Sequence, residues 1–181
     1  MPYDDWWSKY RFGEGPSLGR YTPRAKGKKR LDIGWGDRGE GYAQPGSTLG
    51  LDLSPEDITE RMEAGELLPG FQQSVGTGTD LPYRTGSLDV VTSDHALSLN
   101  YDTWEGLDEA IRVLRPGGKL YVRTPLGTTE HKKEAREIRE WLRTKPVTNI
   151  KVSKEKRYEQ DYETYDEEDA MPNYIIRFTK L

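Results

Sequence analysis

Four short strings constrain the fold of this chain more than anything else in it. They are Leu31-Asp32-Ile33-Gly34-Trp35-Gly36, Leu51-Asp52-Leu53, Leu81-Pro82-Tyr83 running into Leu88-Asp89-Val90-Val91, and the stretch 112–120, RVLRPGGKL. Each begins or ends a strand expected in a parallel sheet. Strands that alternate with helical segments give a sheet covered by helices. Ligands of such open sheets bind beyond the carboxyl ends of the strands. All four strings therefore point to one edge of one sheet.

The intervening segments agree. Residues 30–34 and 48–53 read as the first two strands. Ser54-Pro55-Glu56-Asp57 opens a helix, with Ser at the cap, Pro in the first turn and an acidic residue three after the cap. Gly65 ends it. Residues 71–75 read as a weak strand and 88–92 as a short buried one. Asp102-Thr103-Trp104-Glu105 starts a second helix, along which Trp104, Leu107, Ile111 and Leu114 recur at helical spacing. Pro116-Gly117-Gly118 is expected to stop it, and 119–124 to form the next strand. Residues 130–143 read as a charged helix with Ala135, Ile138, Trp141 and Leu142 on one face. Two last strands, 147–154 and 173–180, lack a helix between them, which predicts an antiparallel hairpin. The expected class is α/β, three layers, with a mostly parallel sheet closed by that C-terminal hairpin. Residues 1–28 read as an aromatic, basic arm that packs through Trp6, Trp7, Tyr10 and Phe12, and 29–181 as the single domain.

Composition sets limits. A chain of 181 residues fits one domain with a modest core. No apolar run approaches the roughly 18 residues of a membrane helix, and the first residues lack the apolar stretch of a signal peptide. The expected location is the cytoplasm, with no membrane partner. The chain has no cysteine. That excludes disulfides, thiolate zinc sites, cysteine-ligated iron–sulfur clusters and any cysteine nucleophile. With only His95 and His131 as histidines, no metal site is expected. A net charge of −4 predicts no general affinity for nucleic acid. The charge is uneven: residues 1–30 carry eight Lys/Arg against three Asp/Glu, and residues 155–170 carry eight acidic against two basic.

Taken in order, the four strings resemble the class I S-adenosylmethionine-dependent methyltransferases, closest to the short methyltransferase-domain type, over roughly residues 29–181. The resemblance implies a Rossmann-like methyltransferase domain, S-adenosyl-L-methionine as cofactor, and methyl transfer to an oxygen or nitrogen. The acceptor would be a small molecule, a sugar or a peptide. Gly34 and Gly36 let the backbone turn sharply and approach a ligand closely, and in the family this turn holds the methionine end of the cofactor. Asp32, just before it, would orient the turn or meet the ligand's amino group. Asp52 would accept hydrogen bonds from both ribose hydroxyls, as in related sheets, and Leu53 would cover the adenine. Trp35 stands where small residues are usual, and would stack on the ligand or partly fill its site. Thr77 stands where relatives often carry an adenine-contacting Asp, so adenine recognition would fall to backbone around Thr77 and Gly78. The loop Thr92-Ser93-Asp94-His95-Ala96-Leu97 would lie beside the methyl group, with Ser93 among the cofactor contacts. His95 is the first candidate for a general base, since its unperturbed pKa of about 6.5 suits proton transfer near neutrality. Asp94 would orient it or replace it. The alternative is a histidine that only satisfies loop backbone groups.

Absences narrow the substrate. The Asp/Asn-Pro-Pro-aromatic string of amino-methylating DNA enzymes is missing, and cytosine five-position methylation needs a cysteine. The RVLRPGGKL stretch is a family marker to which no chemistry is assigned. Two other readings compete. Gly34-Trp35-Gly36-Asp37-Arg38-Gly39 has the G-x-G-x-x-G spacing of a nicotinamide oxidoreductase, but Asp52 follows Gly39 by only thirteen residues, against about 20 for a ribose-binding acid. The second is a catalytically inactive relative serving as a binding or partner subunit. It suits the bulky Trp35 and the trimmed segment 35–47, whose thirteen residues hardly hold the crossover helix whose N-terminus normally faces the cofactor.

Overall fold

A computed structural model describes residues 29–34, 49–52, 72–94, 96–97, 103–125, 131–155 and 173–181. The aromatic arm 1–28, segment 35–47 and the helix expected from Ser54 lie outside these residues. The described elements are β1 (Arg30–Ile33), β2 (Leu49–Asp52), β3 (Gln72–Val75), β4 (Leu88–Asp94), α1 (Thr103–Val113), β5 (Leu114–Pro125), α2 (His131–Leu142), β6 (Val147–Lys154) and β7 (Asn173–Lys180). Their strands form one sheet in the order β3-β2-β1-β4-β5-β7-β6. β1 pairs in parallel with β2 and β4, β2 with β3, and β4 with β5. β7 runs antiparallel to both β5 and β6. The expected α/β architecture and its closing hairpin are thus present. The chain steps outward from β1 to β3, then returns to the other side of β1, so the strand order reverses between β1 and β4. That is where open α/β sheets hold ligands.

The sheet's two faces differ because strand side chains alternate. Leu31, Ile33, Val91, Leu120, Val122, Ile176 and Phe178 share one face and belong to the hydrophobic core. Leu107 and Ile111 of α1 and Ala135, Ile138 and Leu142 of α2 complete it. Each fully buried Leu or Ile contributes about 1.5–3 kcal/mol. The two helices cover the same face, since Trp104 and Trp141 meet edge to face at 5.1 Å. Lys145 Nζ lies 4.3 Å from the centre of the Trp141 ring and bonds Asp108 at 2.7 Å. On the opposite face, the register aligns Asp32 with Thr92, Thr92 with Tyr121 and Tyr121 with Arg177.

Two expectations need correcting. Trp104 is 41% exposed rather than part of the buried stripe; it sits in the first helical turn and leans on Trp141. The strand expected at 119–124 starts earlier, since α1 ends at Val113, just before Pro116-Gly117-Gly118. β5 begins at Leu114, in register with Leu88, and the three residues lie where the β4–β5 pairing shifts register. A bulge accommodates the missing proline N–H.

The β3–β4 crossover carries no helix. Its twelve residues, 76–87, pass from one sheet edge to the far side of β1. Leu81 anchors the connection in the core, on the face that α1 covers.

Candidate active site

The sheet register builds the site. Ile33 is aligned with Leu51 and Ser93, Leu51 with Ser74, and Ser93 with Val122. One residue further along each strand come Gly34, Asp52, Val75, Asp94 and Arg123. They form a single row across the carboxyl ends of five parallel strands. Asp52 pairs with Val75 and Asp94 with Arg123 within it. Sequence-predicted Asp32, Gly34, Asp52, Ser93 and Asp94 are therefore brought to one edge by backbone geometry.

Gly34 turns the chain at this edge. Its φ is 70°, in the region that favours glycine, and its N–H donates to the Leu51 carbonyl at 2.8 Å. A Cβ on Gly34 would collide with that of Ala96, so the loop after β4 packs on the bend. Ser93 is fully buried, and its hydroxyl oxygen accepts a 3.1 Å hydrogen bond from the Leu97 N–H. Leu97, also buried, lies between two glycines. A Cβ on Gly78 would come within 2.6 Å of Leu97 Cδ2, and one on Gly106 within 2.7 Å. The loop after β4 thus touches the β1 bend, the β3–β4 turn and α1 together. Ser93 and Gly78 hold this loop in place.

Asp32 is 6% exposed and accepts a 2.6 Å hydrogen bond from Thr92 Oγ1. Arg30, 2% exposed, donates from Nε and Nη2 to the same hydroxyl oxygen at 3.3 Å. Burial lowers the guanidinium's pKa, and the neighbouring Asp32 charge opposes that shift. This buried acid–hydroxyl–base cluster was not evident in the sequence, where Arg30 closes a basic run and Thr92 stands 60 residues from Asp32. It fixes Asp32 against β4 and so fixes the bend that follows.

Thr77 is exposed. It opens a tight turn in which the Asp80 N–H donates to the Thr77 carbonyl at 3.3 Å and the Thr77 and Thr79 hydroxyls bond at 2.9 Å. Gly78 lies inside this turn. Behind it, Glu109 and Arg112 of α1 bind the connection directly, a role the sequence reading missed. Burial pushes the Tyr83 hydroxyl pKa up, against a 2.7 Å bond with Ser74 that lowers it. Trp35, Gly36, Leu53 and His95 lie outside the described residues, as do the side chains of Asp52 and Asp94. Among the described residues no group of His, Asp or Glu forms a metal site, and no helix is long and apolar enough to cross a membrane.

By backbone position, Asp52 and Asp94 end β2 and β4, and Asp32 lies one residue before the end of β1, beside a bend with positive φ. Such a set suits a ligand carrying a sulfonium, an ammonium and a ribose diol.

The chain is similar to known proteins. The family described as "Methyltransferase domain" matches residues 31–122, just over half of the chain. The ubiquinone/menaquinone biosynthesis C-methyltransferase of Roseobacter denitrificans is 35% identical over 112 residues, covering 56% of this chain and 43% of that protein. Erythromycin 3''-O-methyltransferase of Saccharopolyspora erythraea is 31% identical over 110 residues, covering 54% of this chain and 35% of the relative. The chain thus spans less than half the length of these curated relatives. The structure of Haemonchus contortus phosphoethanolamine N-methyltransferase 2 with S-adenosyl-L-methionine superposes with a TM-score of 0.64 at 19% identity, over 90% of this chain and 50% of that one. It shares the fold. The family match, not the strand order, sets the nicotinamide reading aside, and with S-adenosylmethionine as the family's cofactor, this chain belongs to the class I S-adenosylmethionine-dependent methyltransferases of the methyltransferase-domain family.

Proposed function

We propose that this protein transfers a methyl group from S-adenosylmethionine to an oxygen or nitrogen of a small molecule, sugar or peptide. The observation that carries the reading is the row Gly34–Asp52–Asp94, set across the strand ends where the sheet order reverses. Relatives named for carbon, oxygen and nitrogen methylation share the fold or the family. The atom methylated is therefore set by the acceptor site, and the missing cysteine excludes only carbon methylation that needs a cysteine nucleophile. Bound S-adenosylmethionine supplies a methyl group already activated by its sulfonium. The chain's own task is alignment and proton removal. His95, next in the chain after Asp94, would take the proton from the acceptor O–H or N–H, and Asp94 would orient the imidazole or replace it. Asp52 would hold the ribose hydroxyls, with Leu53 over the adenine and backbone at Thr77 and Gly78 along its edge. Trp35 and Gly36 would flank the methionine end.

Calorimetric titration with S-adenosylmethionine and with its demethylated product tests this. Saturable binding, weakened about ten-fold or more by Asp52→Ala, is the expected result, since the lost group makes charge-assisted hydrogen bonds. Absence of binding to both would replace the enzyme by the inactive partner-subunit reading. With an acceptor in hand, His95→Ala should lower kcat about 100-fold, the low end of general-base contributions.

A further inference from the structure

We infer that the Glu109–Arg112 pair of α1 positions the adenine side of the site by clamping the β3–β4 connection. This rests on the reading that Thr77 and Gly78 border the cofactor.

The geometry is specific. Arg112 Nε and Nη2 donate to the two carboxylate oxygens of Glu109 at 2.7 and 2.8 Å. The same guanidinium donates through Nη2 to the Leu81 carbonyl at 2.9 Å and through Nη1 to the Tyr83 carbonyl at 2.8 Å. Glu109 Oε2 also accepts the Leu81 N–H at 2.8 Å. Both backbone polar groups of Leu81 are thus held by one side-chain pair. The Arg112 carbonyl in turn accepts the Gly86 N–H at 3.0 Å, closing the far end of the connection. Tyr83 carries the link outward through Ser74, whose hydroxyl lies 3.2 Å from the Gly50 carbonyl on β2.

A helical crossover would satisfy its own backbone, but 76–87 has no helix. Its polar groups need outside partners. The turn Thr77–Asp80 hangs between two anchors, the end of β3 and Leu81. Gly78 can meet Leu97 only if both anchors hold. A planar guanidinium reaches a carboxylate and two carbonyls together, whereas an ammonium on the same stem does not. Arg112 is therefore a positioning residue. It acts on the site through the connection and touches no reacting atom.

The test uses the full chain and S-adenosylhomocysteine as probe. Affinity is read by calorimetry, local order by amide hydrogen exchange, and global stability by thermal unfolding. Arg112→Lys should raise Kd about ten-fold, the scale of one lost charge-assisted hydrogen bond. Amides at 77–86 should exchange faster while β1 and β4 keep their protection. Glu109→Gln keeps an acceptor for the Leu81 N–H, folds if the lysine variant does not, and should show a smaller shift in the same direction. Asp108→Asn is the control, because it breaks an ion pair on the same helix that does not touch the connection. Wild-type affinity in both clamp variants would overturn the inference. So would an equal loss in Asp108→Asn, which would make the effect one of helix stability. Failure of the wild-type protein to bind the probe would bring down the cofactor reading itself, and the positioning role with it.

Discussion

Between β4 and β5 the chain crosses the sheet as helix α1. Between β3 and β4 it crosses as the irregular stretch 76–87. The first crossover carries its hydrogen bonds within its own backbone and presents Leu107, Ala110 and Ile111 to the core. The second places only Leu81 in the core and takes its backbone partners from Glu109 and Arg112 of the first. One is self-sufficient and the other is braced. A braced connection brings backbone groups to the carboxyl-end edge of the sheet that a helix would keep to itself. It also makes their position depend on side chains far away in sequence.

Substitutions that separate the two kinds of support sharpen this contrast. The largest effect is expected at Leu107, which is fully buried on the inner side of α1. Leu107→Ala should cost about 2–5 kcal/mol, by lost burial plus a cavity, measured by urea unfolding. The loss should be global, with hydrogen exchange accelerated in α1 and β5 alike. Damage confined to α1 would show that the helical crossover is not coupled to the sheet as the core contacts imply.

Next comes Gly78→Ala, which acts on the braced crossover. The new methyl would press on Leu97 Cδ2, the far end of a side chain that can yield. Overpacking here should cost about 1–2 kcal/mol and shift the loop after β4, with weaker S-adenosylhomocysteine binding than the stability change explains. An alanine variant with native affinity would mean that the Gly78–Leu97 contact lies outside the working site.

The same contrast explains what the sequence could tell. Strand ends, helix faces and the closing hairpin depend on local period and turn chemistry. Accordingly Ala135, Ile138 and Leu142 lie buried as their spacing implies, and β6 and β7 span 147–154 and 173–180 as read. The aspartates and the Gly34 bend were legible as positions on one edge, because parallel strands stack their carboxyl ends. What they bond to was not. Thr92 lies 60 residues from Asp32, and Leu81 and Tyr83 lie 31 and 29 from Arg112. No periodicity encodes such pairs. Arg112 stood inside a string recognisable as a family marker, yet its partners follow only from the fold. Ser93 and Gly78 were readable as candidates for the cofactor edge but not as the packing partners of Leu97, since that requires three segments at once.

Tyr83→Phe probes the outer end of the brace. It removes the 2.7 Å bond to Ser74 and leaves the ring in place. The expected loss is about 0.5–1.5 kcal/mol, with faster exchange at the amides of β3. A change spread evenly over the protein would argue that the link from the connection to β3 carries no strain of its own.

The smallest expected effect depends on pH. Hydrogen bonds from Arg112 hold the Glu109 carboxyl below the usual glutamate range, helped by the Leu81 N–H and opposed by burial. A folded pKa below the unfolded one means that the unfolded chain binds the proton first as pH falls. The pair's contribution is therefore full above the unfolded value, about 4.3, and is lost as pH drops through the folded value. Partial exposure of both side chains keeps it to about 1 kcal/mol or less. Glu109→Gln removes this titration. The stability gap between wild type and variant in urea should be constant from pH 7 to pH 5 and narrow toward pH 3. A gap that persists unchanged at pH 3 would place the strength of the brace in its shape rather than its charge. The irregular crossover would then resemble the helical one more closely than the bonds around Arg112 suggest.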